Sequence, residues 1–273
     1  MHSWHWHSWQ ELPYLSCSLL SQFPHGFFTQ QFSSHTLEDM TKILHQEASF
    51  YRLKQVHGNE VLTPREIEYK LSLGGDEVEQ VGDTILAKAD GLIGEQPLQA
   101  VWTASADCTP ALIGDVKTGQ VAAVHAGWRG TAKKIIPQAI SRMQSQGSKL
   151  QDLRIAMGPA ISGEVYQVSE DVAIQLASTL IPEEDKKAII NALQELDNSP
   201  LFPDSEPGKV RIDVRQVSAL QMEQLGISPE QISLAPYCTY QNPENFFSHR
   251  RAKQGKVQWS GIVNMGNGGT VDS

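Results

Sequence analysis

Cysteine is scarce in this chain: Cys17, Cys108 and Cys238 are the only three in 273 residues. An odd, sparse count cannot form a disulfide framework and points to a reducing compartment. No apolar run approaches the ~18–20 residues needed to cross a bilayer. Basic residues are outnumbered, with 22 Lys and Arg against 31 Asp and Glu and a formal charge of −9. That deficit argues against a general nucleic-acid or anionic-membrane binder. The start, Met1-His2-Ser3-Trp4-His5-Trp6, lacks the basic stretch and apolar core of a secretory signal. Self-similarity at a solenoid or propeller period is also missing. What remains is an ordinary globular composition, 40% hydrophobic, able to bury a core without covalent staples. The expectation is a cytoplasmic protein, a monomer or small homo-oligomer, whose partners are small molecules.

Residues 1–23 read as an N-terminal arm or first strand. Trp4-His5-Trp6-His7 alternates with period two, as an extended segment does. His2, His5 and His7 could be a terminal metal cluster, but aromatic packing of a strand is the preferred reading. Residues 38–45 suit a short helix, and 54–61 read as strand, turn, strand around Gly58-Asn59. The polar, acidic stretch 64–84 is expected to be a solvent-facing hairpin or loop. Short apolar runs at 98–102, 111–113 and 121–124 are strand candidates. Ala132, Ile135, Ile136, Ala139, Ile140 and Met143 recur at helical spacing, which predicts an amphipathic helix. Pro137 within it predicts a kink or a late start. A strand at 155–157 ends in Gly158-Pro159. Helices are expected over 169–180, 183–196 and 214–225, with a loop at Pro200, Pro203 and Pro207. Strands are expected at 232–235 and 257–263, and residues 265–273 read as a flexible tail. Strands and helices mix without strict alternation. This predicts an α+β single domain, mixed β-sheets covered by helices in a layered α/β sandwich.

Three segments place soft and borderline metal ligands near glycine: His57-Gly58, Asp107-Cys108 and His125-Ala126-Gly127. One thiolate and two imidazoles suit Zn²⁺, and three protein ligands leave a coordination position open for chemistry. The separations of 51 and 17 residues match no local zinc-finger spacing. Taken singly, each residue is more often structural, a loop histidine or a small buried thiol. In His125-Ala126-Gly127-Trp128-Arg129-Gly130-Thr131 a strand ends and a helix begins. Free N–H groups there, with Arg129 and Gly130, could hold phosphate; a structural turn with Arg129 in an ion pair is the alternative. Phe246-Phe247-Ser248-His249-Arg250-Arg251 offers a further anion candidate in Arg250, or else a solvated turn. Asp90 and Asp107 could orient an imidazole or act as acid–base groups, or simply cap turns.

Together these segments resemble a family. Gln55-Val56-His57-Gly58, Ala106-Asp107-Cys108, His125-Ala126-Gly127-Trp128-Arg129-Gly130, Gly158-Pro159-Ala160-Ile161 and Cys238-Thr239-Tyr240 with Phe246-Phe247-Ser248-His249-Arg250-Arg251 are similar, in order, to the laccase-domain family. Its members were first called polyphenol oxidases and are now described as purine nucleoside phosphorylases. The resemblance implies a catalytic domain over residues 24–264 with one zinc held by His57, Cys108 and His125. It also implies phosphorolysis of adenosine, inosine and S-methyl-5′-thioadenosine to free base and ribose 1-phosphate, with adenosine deamination as a further activity. The chain departs from the family pattern at Gln30, where the family usually carries Arg, at His249 in place of Tyr, and at Lys256 in place of Arg.

Two other functions compete. A copper-dependent polyphenol oxidase fits the older family name, and Cu²⁺ binds such donors more tightly than Zn²⁺. Several copper ions would need many His-x-His pairs, however, and His5/His7 is the sole such pair among nine histidines. A metal-free cysteine hydrolase would use Cys108 as nucleophile and His125 or His57 as base. A non-enzymatic binding module leaves three zinc-type donors beside glycine-rich turns without a purpose.

Overall fold

Strands in the middle of the chain are buried along nearly their whole length, so both of their faces must be covered by other layers. The computed structural model describes residues 2–183 and 185–266. It opens with strands β1 (Trp4–Trp9), β2 (Leu12–Cys17) and β3 (His25–Phe28), then helix α1 (Leu37–Leu44). Next come β4 (Ser49–Tyr51), β5 (Val61–Leu62), α2 (Pro64–Leu73), β6 (Val78–Val81) and β7 (Thr84–Ala87). The central segment holds β8 (Gly91–Gly94), β9 (Gln99–Ser105), β10 (Thr109–Asp115) and β11 (Val121–Ala126). Helices α3 (Trp128–Ala132) and α4 (Ile135–Ser145) lead to β12 (Leu153–Met157) and β13 (Gln167–Ser169). Then follow α5 (Glu170–Ala177), α6 (Lys186–Gln194), β14 (Leu201–Phe202), β15 (Lys209–Ile212) and α7 (Val214–Gln224). The last elements are β16 (Ile232–Leu234), α8 (His249–Ala252) and β17 (Gln258–Val263).

Two six-stranded sheets dominate, ordered β1-β2-β3-β17-β9-β4 and β16-β12-β10-β11-β8-β5. Both are mixed: β4 pairs parallel to β9, and β12 parallel to β16, within otherwise largely antiparallel ladders. The period of two divides each central strand between two cores. From β10 and β11, Leu112, Val121 and Ala123 meet Leu15, Phe27, Val101 and Ile262 between the sheets. The alternate residues Ala111, Ile113, Ala122 and Val124 meet Ile135, Ile136, Ala139, Ile140 and Met143 of α4 on the outside. On the far side of the first sheet, Leu37 and Met40 of α1 cover Phe28, Phe32 and Trp102. The layers therefore run helix, sheet, sheet, helix, the sandwich that the mixed pattern predicts. A third cluster joins α5, α6 and α7 to the small β13-β15-β14 sheet.

Several local expectations need correction. Residues 64–84 are not merely a hairpin or loop: α2 occupies their first half, followed by the β6–β7 hairpin. Its start was written in Thr63-Pro64-Arg65-Glu66, where Thr63 N–H donates to Glu66 Oε2 (2.8 Å) and Pro64 fills the first helical position. The polar face hid it. Around residues 54–61 only a bridge at Lys54 and the short β5 are extended; Val56-His57-Gly58 is loop. The amphipathic stretch over 132–143 is two helices, α3 and α4, broken at Lys134 in the left-handed region (φ 57°). Pro137 falls in the first turn of α4, where its missing N–H costs nothing, so the late start is realised. The Pro200–Pro207 loop contains β14.

At the N-terminus, β1 is the edge of the first sheet. Trp4 packs on Phe27 (centroids 5.2 Å apart) and donates Nε1–H to Ser233 Oγ (3.0 Å). His7 stacks on Tyr14 and bonds Ser16 Oγ (2.7 Å), while His2 bonds the Glu230 carbonyl (2.7 Å). These histidines serve the strand's packing rather than one cluster. Of the expected tail, Met265 and Gly266 are described, and residues 267–273 lie outside the described residues.

Candidate metal centre

Three chain segments meet at the edge of the second sheet formed by its strand ends, not at an outer strand. β11 runs out through His125, which is buried. The turn between β9 and β10 carries Asp107 and Cys108. The loop before β5 carries His57, which is exposed. The donor atoms of His57, Cys108 and His125 all lie within 4.8 Å of one another, and the two imidazoles meet edge to face. Residues far apart in sequence thus converge because strand order places their ends side by side.

Asp90, immediately before β8, organises the convergence. Its carboxylate accepts from four donors: the backbone N–H of Val56 (3.2 Å), His57 (2.9 Å) and Gly58 (2.6 Å), and His125 Nδ1–H (2.8 Å). Bonding through Nδ1 fixes the ring and leaves Nε2 of His125 for another partner. The same bonds hold His57 in the left-handed region (φ 58°), a conformation that persists only when its surroundings impose it. Asp107 is held in that region too (φ 90°). Thr239 Oγ1–H donates to its Oδ1 (2.7 Å) and Arg250 N–H to its Oδ2 (2.6 Å). Asp90 therefore bonds the His125 imidazole and the Val56-His57-Gly58 turn at once. Asp107 fastens the Cys108 turn to residues 239 and 250.

Two glycines allow the approach. A Cβ at Gly127 would stand 2.7 Å from Cys108 Sγ and 3.4 Å from His57 Cδ2. One at Gly130 would stand 3.1 Å from the Gly58 carbonyl oxygen. Both keep the helix start close to the histidine loop.

Electrostatics tie the three donors together. Burial would push the Cys108 thiol up, but hydrogen bonds and charge from His125 and His57 overcome it and bring it down to about 6. Burial would lower His125; Asp90 and Cys108 instead raise it to about 9. Asp90 lies below the usual carboxylate range because His125 and the backbone N–H groups outweigh its burial. A thiolate held beside imidazoles is the state that ligates a metal or attacks an electrophile.

Cys108 lines a small cleft with Asp107, Gly127, Trp128, Ile161 and Tyr166. Arg129 is exposed and lies over the Trp128 ring, 4.3 Å from its centroid. Arg250, also exposed, lies over Tyr166 at 4.7 Å. Gly130 packs against the histidine loop. Gln30 lines a separate depression with His249, Arg251 and Lys256, its Nε2 donating to the carbonyls of Pro243 (2.7 Å) and Glu244 (3.1 Å). Cys238 is a buried thiol accepting from Ser162 N–H. Sequence reasoning overlooked Tyr166, Thr239 and the steric need for Gly127. Thr239 and Gly127 stood inside recognisable segments; Tyr166 carried no local signal.

A family model described as "Multi-copper polyphenol oxidoreductase laccase" matches residues 33–263. The chain belongs to this family. It is 44% identical over 266 residues to a purine nucleoside phosphorylase of Synechocystis sp., covering 95% of this chain and 97% of that protein. A protein named adenosine deaminase, from an unknown prokaryotic organism, is 28% identical over 62% of this chain and 56% of its own length. The crystal structure of YlmD from Geobacillus stearothermophilus superposes with a TM-score of 0.74 at 22% identity, covering 95% of this chain and 98% of that one, and so shares the fold. The laccase-like fold thus places a possible metal site of one sulfur and two nitrogens at a sheet edge. Among the described residues this is the one group of three or more His, Cys or carboxylate donors close enough to share an ion. Its donors fit a single zinc or copper ion, and a multi-copper arrangement finds no second set among those residues.

Proposed function

We propose that this protein is a zinc-dependent purine nucleoside phosphorylase. It cleaves adenosine, inosine and S-methyl-5′-thioadenosine with phosphate, giving the free base and the ribose 1-phosphate, with adenosine deamination as a side activity. The observation that carries the reading is the convergence of His57, Cys108 and His125, with Cys108 lining a cleft, in a chain 44% identical along nearly its full length to a protein named for that activity. The 28% identical adenosine deaminase supports the side activity.

In this reading His57, Cys108 and His125 would hold the zinc, and Asp90, bonded to Nδ1 of His125, leaves its Nε2 to serve as a ligand. When bound, zinc supplies a Lewis-acid charge to the cleft. Phosphorolysis transfers the ribosyl carbon from the base nitrogen to a phosphate oxygen, so phosphate needs fixing beside the sugar. The guanidinium groups of Arg129 and Arg250, stacked on the cleft-lining rings of Trp128 and Tyr166, are the cations proposed for it. Asp107, whose two oxygens already accept hydrogen bonds, positions Cys108 and the Arg250 backbone. Trp128, Ile161 and Tyr166 offer apolar surface to the purine.

The test is product analysis after incubation with the three nucleosides, with and without phosphate. Base release that depends on phosphate is expected. Phenol oxidation by copper-bearing protein without such release would replace the reading by the oxidase. Full activity after complete metal removal would replace it by a Cys108 and histidine dyad.

A further inference from the structure

Arg250 is an exposed side chain on a four-residue helix, a poor starting point for fixing an anion. A free arginine loses rotamer entropy on binding, which weakens the contact. Here a backbone bond anchors the residue and two side-chain contacts remove that freedom. The Arg250 N–H is held by Asp107 Oδ2 at 2.6 Å. Its Nη1 donates to the Gln167 carbonyl at 2.9 Å. Its guanidinium carbon lies 4.7 Å from the centroid of the Tyr166 ring. Tyr166 is itself fixed from behind, its carbonyl accepting from Ile212 N–H (3.2 Å) as the chain enters β13. The ring is also a wall of the Cys108 cleft. Tyr166 therefore both lines the cleft and carries the arginine, and Asp107 links that arginine's backbone to the turn of Cys108.

We infer that Tyr166 is a positioning residue for anion binding: its ring, with the Gln167 carbonyl, holds the Arg250 guanidinium at the mouth of the cleft to receive phosphate. The role belongs to the π face and not to the phenol oxygen. Guanidinium donors not used by Gln167 remain for a bidentate bond to phosphate. The inference rests on the phosphorolysis reading only in taking phosphate as the anion.

The experiment measures inorganic phosphate affinity by calorimetry, and separately KM for phosphate and kcat with inosine, in the metal-loaded protein. Tyr166→Leu is expected to weaken phosphate binding and raise its KM about 3- to 10-fold, the scale of a lost cation–π contact, with kcat changed less. Tyr166→Phe, which keeps the ring, is expected to restore most of that loss. Arg250→Lys keeps the charge but not the plane, and Tyr166→Leu added to it should weaken binding little further. Phosphate affinity unmoved by Tyr166→Leu, equal losses in Tyr166→Phe, or fully additive losses in the double variant would overturn the inference. Should Tyr166→Leu not fold, phosphate affinity unchanged in Arg250→Lys overturns it equally. Tyr166-dependent phosphate binding without phosphate-dependent base release would sink phosphorolysis and leave this role standing. Phosphorolysis indifferent to Tyr166 would do the reverse.

Discussion

The aromatic flank of the first sheet and the metal edge of the second are held together by opposite means. On the flank, Phe28, Phe32 and Trp102 pack at centroid distances of 4.8 to 5.5 Å, and Trp102 adds one bond to Thr41 Oγ1. Dispersion and burial are non-directional, so this region has stability to lose but little geometry to protect. At the metal edge, two non-glycine residues sit in left-handed conformations, and one buried carboxylate takes four donors. Directional bonds define positions there. The lesson is that a region built on packing and a region built on directional bonds stand apart in this molecule, and their mutational effects should separate.

The sharpest break comes from Cys108→Ala. It should abolish stoichiometric zinc binding and lower activity by more than ~100-fold, exceeding the effect of losing an orienting partner. Metal analysis and turnover check this, while the melting temperature should barely move. Retained zinc would dissolve the metal-edge assignment. Next, Trp102→Ala should cost about 3–5 kcal/mol in denaturant unfolding yet leave metal stoichiometry intact. Loss of metal in that variant would show the two regions to be coupled.

A smaller effect tests a buried polar group on the inter-sheet side of the first sheet. His25 is buried, accepts from Cys17 N–H at Nε2 and bonds the Phe23 carbonyl through Nδ1. Its neutral form is required, and burial lowers it to about 4 from an ordinary 6.5. The folded value lies below the unfolded one, so this stability is present above pH 6.5 and drains away as pH falls toward 4. It amounts to about 3 kcal/mol. Unfolding measured from pH 7 to 4 should show that slope, and the non-titrating His25→Gln should flatten it. The smallest effect is expected from Asp90→Asn. An amide cannot accept the four bonds and turns a donor toward donors, so zinc affinity should fall 10- to 100-fold, read by chelator competition. Unchanged affinity would deny Asp90 its orienting role.

The core strands and helices α1 and α4 were largely legible in the sequence, whereas β3, which brings Phe28 to the flank, was not. Val121–Ala126 and the helix bearing Ile136, Ile140 and Met143 announce their periods within a few residues. The Thr63–Glu66 capping box was equally local and was obscured only by the acidic sequence that follows. The metal edge was legible in part. His57, Cys108 and His125 stood out as donor types, and Asp90 as a carboxylate near them. That Asp90 serves both histidine segments, that Gly127 is needed to clear Cys108 Sγ, and that Tyr166 faces the same cleft are long-range facts with no signature in neighbouring residues.

By itself the sequence determined the chemistry on offer: one thiol and two imidazoles of metal-binding type, too few basic residues for a nucleic-acid surface, and hydrophobic periods that demand layered sheets and helices. Only the tertiary structure decided which of those groups meet. Periodicity is encoded over a handful of residues, whereas the meeting of positions 57, 108 and 125 depends on the order in which β5, β8, β11 and β10 lie side by side. That order is set by the burial of both faces of the second sheet, a property of the whole chain and not of any segment within it.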